Sequence, residues 1–266
     1  MANWSRTHTL AARRIAEMCR ERAAPFEPDP ADAEGDHERL ARRELPLLPW
    51  CRTYLPHYFQ CPFAPFHRRM IEAVGGAGMP TFVAAFRGAG KSALLSLARP
   101  LRRILRGEVP YLLFGSQVQK LGARTMDFIR LELDHNERIR GDYGPVKADG
   151  AQDGWTARLA ADDARPGPHG ECRLEAFGIG QSPRGRRFRQ FRPAAFVGDD
   201  LETAELARNP DREQQLWDWL MDEILPALEP REFAFTVVGT MFGPHCMMER
   251  ARELASRRDA RGRWLN

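Results

Sequence analysis

The run Phe82-Val83-Ala84-Ala85-Phe86-Arg87-Gly88-Ala89-Gly90-Lys91-Ser92 holds the residues best suited to chemistry in this chain. An apolar stretch breaks into glycines and then Lys-Ser, with Ala93 opening the next segment. A glycine-rich turn feeding a helix aims backbone N–H groups at one point, where phosphate oxygens are held. Lys91 would reach β- and γ-phosphates, and the Ser92 hydroxyl would ligate Mg²⁺. The general pattern wants glycine six residues before the lysine. Ala85 stands there instead, and Arg87 lies inside the loop. The plainer alternative is a glycine turn that only starts a helix.

A nucleotide-hydrolysing site also needs an acid delivered by a strand. Ala195-Phe196-Val197-Gly198-Asp199-Asp200 supplies one. Asp199 at the end of a buried strand can hold Mg²⁺, directly or through water. Asp200 is placed to orient or deprotonate an attacking water, with Glu202 as the second candidate. Taken alone, an apolar run ending in acids describes many strand ends, so its meaning depends on the glycine-rich loop. Phe235-Thr236-Val237-Val238 runs into Gly239-Thr240, whose hydroxyl could sense the γ-phosphate; an ordinary strand and turn is the simpler reading. Arg184, Arg186, Arg187, Arg189 and Arg192 fall close together around Phe188 and Phe191. They read either as a polyanion-contacting loop or as a solvated hairpin face. His67 precedes the glycine-rich loop in Phe63-Ala64-Pro65-Phe66-His67, where composition favours a packing role over a ligand role.

These residues need strands and helices to bring them together. Apolar positions at Leu94, Leu97, Ala98, Leu101, Ile104 and Leu105 predict a helix after Ser92, with a kink at Pro100. Tyr111–Gly115 predicts a second buried strand, followed by a long helix capped by Ser116 and ending near Gly141. Residues 145–170 carry few apolar anchors and read as a mobile insertion with a short helix near Trp155. Strands are expected over 174–179, 194–197 and 233–238. Asn209-Pro210-Asp211 marks a helix start with Pro in its first turn, and 247–254 closes the chain's helices. Alternating strands and helices predict a mainly parallel sheet with helices on both faces. Residues 1–24 read as a polar helix, joined by a proline linker to a short charged helix from about Asp36 to Leu45.

The 266 residues allow one large α/β domain or two small ones, with enough core to fold without staples. The net charge of +4 permits a polyanionic partner without requiring one. The five cysteines form no CxxC pair, which argues against a disulfide framework or zinc site and for a reducing cytoplasm. No apolar run approaches membrane-spanning length, and no signal peptide is evident.

The pattern from about Cys51 to Arg252 resembles the ATPase domain of the large terminase subunit of tailed bacteriophages, the motor that packages DNA into capsids. Tyr58-Phe59 and Pro65-Phe66-His67 are similar to the family's segment near the adenine. Arg87-Gly88-Ala89-Gly90-Lys91-Ser92 resembles its deviant phosphate loop, whose early arginine is implicated in γ-phosphate contact in cis. Leu133-Asp134-His135-Asn136 with Asp142-Tyr143-Gly144, and Arg184-Gly185-Arg186 with Arg192-Pro193 before Asp199-Asp200, resemble further family stretches. Val238-Gly239-Thr240 is similar to its coupling motif.

The resemblance implies an α/β phosphate-loop NTPase, RecA/ASCE-like, with a mainly parallel sheet sandwiched by helices. Residues 1–45 would be an N-terminal extension and 46–266 the ATPase domain. It implies ATP and Mg²⁺ as cofactors, and Arg87, Lys91 and Asp200 or Glu202 as catalytic. Gly88, Ala89, Gly90, Ser92, Ala93 and His67 would line the nucleotide. Ser92 and Asp199 would hold metal, and Gly239 and Thr240 would couple hydrolysis to movement. Arg184, Arg186 and Arg187 would be DNA or trans contacts. Double-stranded DNA, a portal protein, a small terminase subunit and further copies in a ring are the implied partners, in the host cytoplasm. Many relatives have Glu where Asp200 stands, which leaves the water-activating role open between Asp200 and Glu202. The 26 residues after Thr240 leave no room for the family's nuclease domain, so no nuclease activity is expected. The rivals are another phosphate-loop enzyme, helicase-like or a phosphotransferase, and a remnant that binds nucleotide without hydrolysing it.

Overall fold

The computed structural model describes residues 17, 33–75 and 78–256. The polar helix expected over 1–24 and the proline linker lie outside these residues, Glu17 excepted. Among the described residues, strands β1 (Pro80–Ala84), β2 (Tyr111–Ser116), β3 (Val146–Ala151), β4 (Gly154–Leu159), β5 (Glu171–Gly178), β6 (Ala195–Asp199) and β7 (Ala234–Gly239) form one sheet. Its order is β1-β7-β6-β2-β5-β4-β3. The first five in that order run parallel; β4 and β3 are antiparallel additions.

The parallel strands are apolar on both faces because helices cover both. Leu112 and Phe114 of β2, Val197 of β6 and Val238 of β7 pack on one side. There they meet α2 (Leu47–Tyr54), the helical stretch after Ser92, and α5 (Gln119–His135). Tyr111, Leu113, Phe196, Phe235 and Val237 alternate to the other side. That side is closed by α7 (Pro210–Asp218), the π-helical turn Trp219–Ile224 and α8 (Met247–Ser256).

The helix after Ser92 starts as π-helical backbone over Ser92–Ala98 and continues as α4 (Arg99–Leu105). The Arg99 N–H donates five residues back to the Leu94 carbonyl. Pro100 cannot donate, and the wider turn ahead of it accommodates the ring while the helix runs on. The long helix predicted after β2 is divided. Buried Asn136 ends α5 and caps α6 (Glu137–Tyr143), accepting from the Ile139 N–H at 3.1 Å. Ser116 is not the α5 cap: it is the last residue of β2, and its hydroxyl donates to the Val118 carbonyl.

Residues 145–170 also differ from expectation. They carry the β3–β4 hairpin, and Trp155 is a fully buried core residue on β4 opposite Leu174, with no helix around it. Helix α1 (Ala33–Glu44), within the expected extension, docks on the body through a bidentate Arg42–Asp142 ion pair. Asp142 also accepts from the Tyr54 hydroxyl of α2. Helix α3 (Pro65–Ala73) leads into β1. No helix among the described residues is long and apolar enough to cross a membrane.

Candidate functional site

Strand β1 ends at the C-terminal edge of the parallel sheet, and the loop 85–90 carries the chain into the Ser92 helix. The Ala85 N–H still donates to the Gly239 carbonyl at 3.0 Å, so this residue extends the β1–β7 ladder. Its backbone needs no positive φ, which is why alanine serves where a glycine was expected. Gly88 and Gly90 do need it, at φ +83° and +69°. The Leu94 N–H then donates to the Gly90 carbonyl at 2.9 Å, closing the first helical turn on the loop.

His67 braces this loop from behind. Its Nδ1 accepts from the Ala64 N–H at 2.9 Å, which leaves Nε2 to donate to the Ala89 carbonyl at 3.0 Å. It therefore shapes the loop's backbone. Arg87 is exposed, makes no ion pair among the described residues, and lies over the Phe242 ring at 5.9 Å. That contact joins the loop to the segment just after Thr240, a link nothing in the sequence spacing indicates.

Asp199 comes from β6, which is separated from β1 by β7. Asp199 pairs with Val238 and Ala84 with Gly239, so both stand near one level of the sheet. Two strand spacings put their strands about 10 Å apart. Ser92 closes the gap by donating its hydroxyl to Asp199 Oδ1 at 3.1 Å. Asp199 shares the sheet face of Ala195 and Val197, the face on which the Ser92 helix lies. Lys91 is 7% exposed and lends its charge to the same carboxylate.

Burial raises the Asp199 pKa above the ordinary carboxylate range, and neighbouring Asp200 adds to this; Ser96, Ser92 and Lys91 oppose it. The Ser96 hydroxyl is buried beside this carboxylate without the geometry of a full hydrogen bond. Ser96 belongs to none of the motifs read from the sequence. Its position one helical turn after Ser92 was the available signal.

Asp200 is exposed and left-handed, at φ +46°, and its N–H donates to the Val238 carbonyl at 3.2 Å. Such a backbone costs a non-glycine residue on the order of 1 kcal/mol and clusters at functional sites. Glu202 is instead 6% exposed and accepts from the Met247 N–H of α8 at 2.9 Å, with its Oε2 buried and without a partner among the described residues. Burial, with Glu213 adding to it, pushes its pKa up to about 7. Glu202 thus holds α8 against the acid-bearing loop, whereas Asp200 faces solvent.

Gly239 ends β7 in close contact with Met248 of α8, and Thr240 follows, half-buried. Ala93 is half-buried in the first helical turn. Two of the three arginines singled out for DNA are engaged elsewhere. Arg184 pairs with Glu223 at 3.0 Å, and Arg186 lies 3.6 Å from Glu175 and over the Phe177 ring. Arg187 is exposed and makes no ion pair among the described residues. A bridge between Phe188 and Phe191 shapes their loop as a tight hairpin.

Chemically, the edge offers two loop glycines in the required conformation, a buried ammonium, and a Ser–Asp oxygen pair. Neither a scan against protein-family models nor a search of curated proteins finds a match to this chain.

Proposed function

We propose that this chain is an ATP-hydrolysing motor domain of the phage DNA-packaging kind, built on a phosphate-loop NTPase fold. The observation that carries the reading is the Ser92–Asp199 hydrogen bond. It joins residues 107 apart in the chain and places a hydroxyl and a carboxylate side by side at the glycine-rich loop. Those two oxygens suit Mg²⁺, which accepts one or two protein oxygens and takes the rest of its shell from phosphates and water. Bound there, the ion would neutralise charge on the transferring phosphoryl group.

The chain's own residues do the remainder. The loop's backbone N–H groups hold phosphate oxygens, and Lys91 supplies a fixed positive charge beneath them. Arg87 reaches the outer phosphate from the exposed rim. Asp200 orients the attacking water, and its solvent-facing position favours it over sealed Glu202. His67 keeps the loop in shape. Arg87–Phe242 and Gly239–Met248 tie the loop and strand β7 to the Thr240 segment and α8, a route by which hydrolysis would move the polypeptide. Among the arginines singled out for DNA, Arg187 is the one left available. The order of motifs supports duplex DNA, a portal protein, a small subunit and further copies of the chain as partners.

The test is steady-state ATP turnover with and without duplex DNA. Lys91→Ala and Asp199→Ala should each lower it by on the order of 100-fold. Turnover unchanged by both would sink the site assignment. Stimulation by a small phosphate acceptor in place of DNA would select a phosphotransferase.

A further inference from the structure

A cavity of about 640 Å³ opens at the other end of the sheet from Asp199. Pro110 just before β2, Ala194 just before β6 and Ala234 at the start of β7 line it, which fixes it at the N-terminal edge of the parallel strands. Arg99, Arg102 and Arg103, three and four residues apart on α4, present one basic helical face to it, and Arg192 joins them from the hairpin loop.

These guanidiniums outnumber the carboxylate beside them, Glu108, which also lines the cavity. Arg99 donates to the Val74 carbonyl at 2.6 Å and Arg102 to the Leu45 carbonyl at 2.8 Å, both neutral acceptors. The Arg102 Nε is buried with no acceptor among the described residues. Arg103 lies 3.7 Å from Glu108, but that carboxylate is held more closely by Arg106, at 2.5 Å. Arg192 has no ion pair among the described residues. Burial, with the like charge of Arg103 adding to it, pulls the Arg99 pKa down to about 10. Glu229 and Glu232 line another part of the wall without pairing to these arginines. Burial lowers the His169 pKa, which disfavours its charged form.

We propose that this cavity is a second binding site, for a small organic oxyanion such as a phosphate monoester of roughly mononucleotide size. Its volume falls within the ~300–1,000 Å³ of small-molecule sites. Planar guanidiniums match phosphate oxygens in pairs. Leu47, Ile71, Phe191 and Phe233 supply apolar wall for an organic body, which a bare inorganic ion would leave unused. The concave, half-buried arginines suit an inserted ligand better than the convex backbone of a duplex. Glu229 and Glu232 restrict the ligand's charge to the α4 side.

The inference is independent of the glycine-rich loop, and the experiment keeps the two apart. The full chain is first saturated with a non-hydrolysable Mg-ATP analogue, and phenyl phosphate is then titrated by calorimetry, with inorganic phosphate for comparison. Saturable binding of phenyl phosphate is expected, several-fold tighter than inorganic phosphate. Each of Arg103→Gln and Arg192→Gln should weaken it by about 10-fold. Arg192 lies on a loop, so its variant remains informative if the helix variant fails to fold. Lys91→Ala, titrated without the analogue, should still bind phenyl phosphate through the cavity even if the loop assignment is wrong. No binding to the analogue-saturated chain, or binding indifferent to Arg192→Gln, would overturn the proposal. So would equal affinity for the two probes.

Discussion

Replacing Glu202 by Gln isolates the cost of keeping an ionisable carboxyl beneath α8. The carboxyl is 6% exposed, one oxygen accepts from the Met247 N–H, and the other has no partner among the described residues. Its pKa rises from an ordinary 4.5 to about 7, chiefly through burial. A raised carboxyl pKa means the folded chain holds the proton more tightly than the unfolded chain does. The contribution is therefore fully present below pH 4.5, declines as pH rises toward 7, and is gone above it. At about 1.4 kcal/mol per tenfold change in proton affinity, this group costs the wild type at most ~3 kcal/mol between pH 4 and pH 8. Gln keeps the acceptor for Met247 and removes the charge. Glu202→Gln should match or slightly trail the wild type at pH 4.5 and exceed it by ~1–3 kcal/mol at pH 8. Urea unfolding of both proteins from pH 4.5 to 8 reads the difference, so that other titrating groups cancel. A difference constant across that range would refute the assignment of a raised pKa to Glu202. ATP turnover of the variant near the wild-type level would further support Asp200 as the water-orienting acid.

Other positions give separate tests. If Arg87 makes forked phosphate contacts, Arg87→Lys should lower ATP turnover nearly as far as Lys91→Ala. Near wild-type turnover would reduce Arg87 to its contact with Phe242. Gly90→Ala imposes φ +69° on a residue with a Cβ, which should cost ~1 kcal/mol in thermal or urea unfolding and weaken nucleotide binding more than stability alone explains. Trp155→Ala empties a fully buried site and should cost ~3–5 kcal/mol. Trp155→Phe should cost less than Trp155→Ala, because the ring leaves a smaller cavity and the lost indole N–H has no partner among the described residues.

Much of the architecture is local in origin and was readable as such. Phe82–Ala84, Tyr111–Gly115, Ala195–Val197 and Phe235–Val238 are short apolar runs bounded by polar turns. Such runs become strands wherever helices can cover both faces. Asn209 before Pro210 marks a helix start because its side chain can cap N–H groups ahead of it, and it accepts from Asp211 and Arg212. The glycines at 88 and 90, the Lys-Ser pair and the Asp199-Asp200 turn were legible because residue type alone limits what such backbones and side chains can do.

Tertiary structure decided the rest. Trp155 is one large apolar residue among glycines and acids, and only its pairing against β5 makes that segment core. Asn136 interrupts a run of helix-forming residues because its amide finds the Tyr54 carbonyl at 2.7 Å, 82 residues away. The different burial of Asp200 and Glu202 could not be read from a sequence in which they stand two apart. Burial under α8 sealed one and a left-handed turn exposed the other. The arginines of 184–192 read as a single charged cluster, yet Glu223, Glu175 and Glu171 draw three of them into ion pairs. The Ser92–Asp199 contact likewise depends on strand order. Each residue type was set by the chain locally, but β7 entering between β1 and β6 is what set the distance that Ser92 spans.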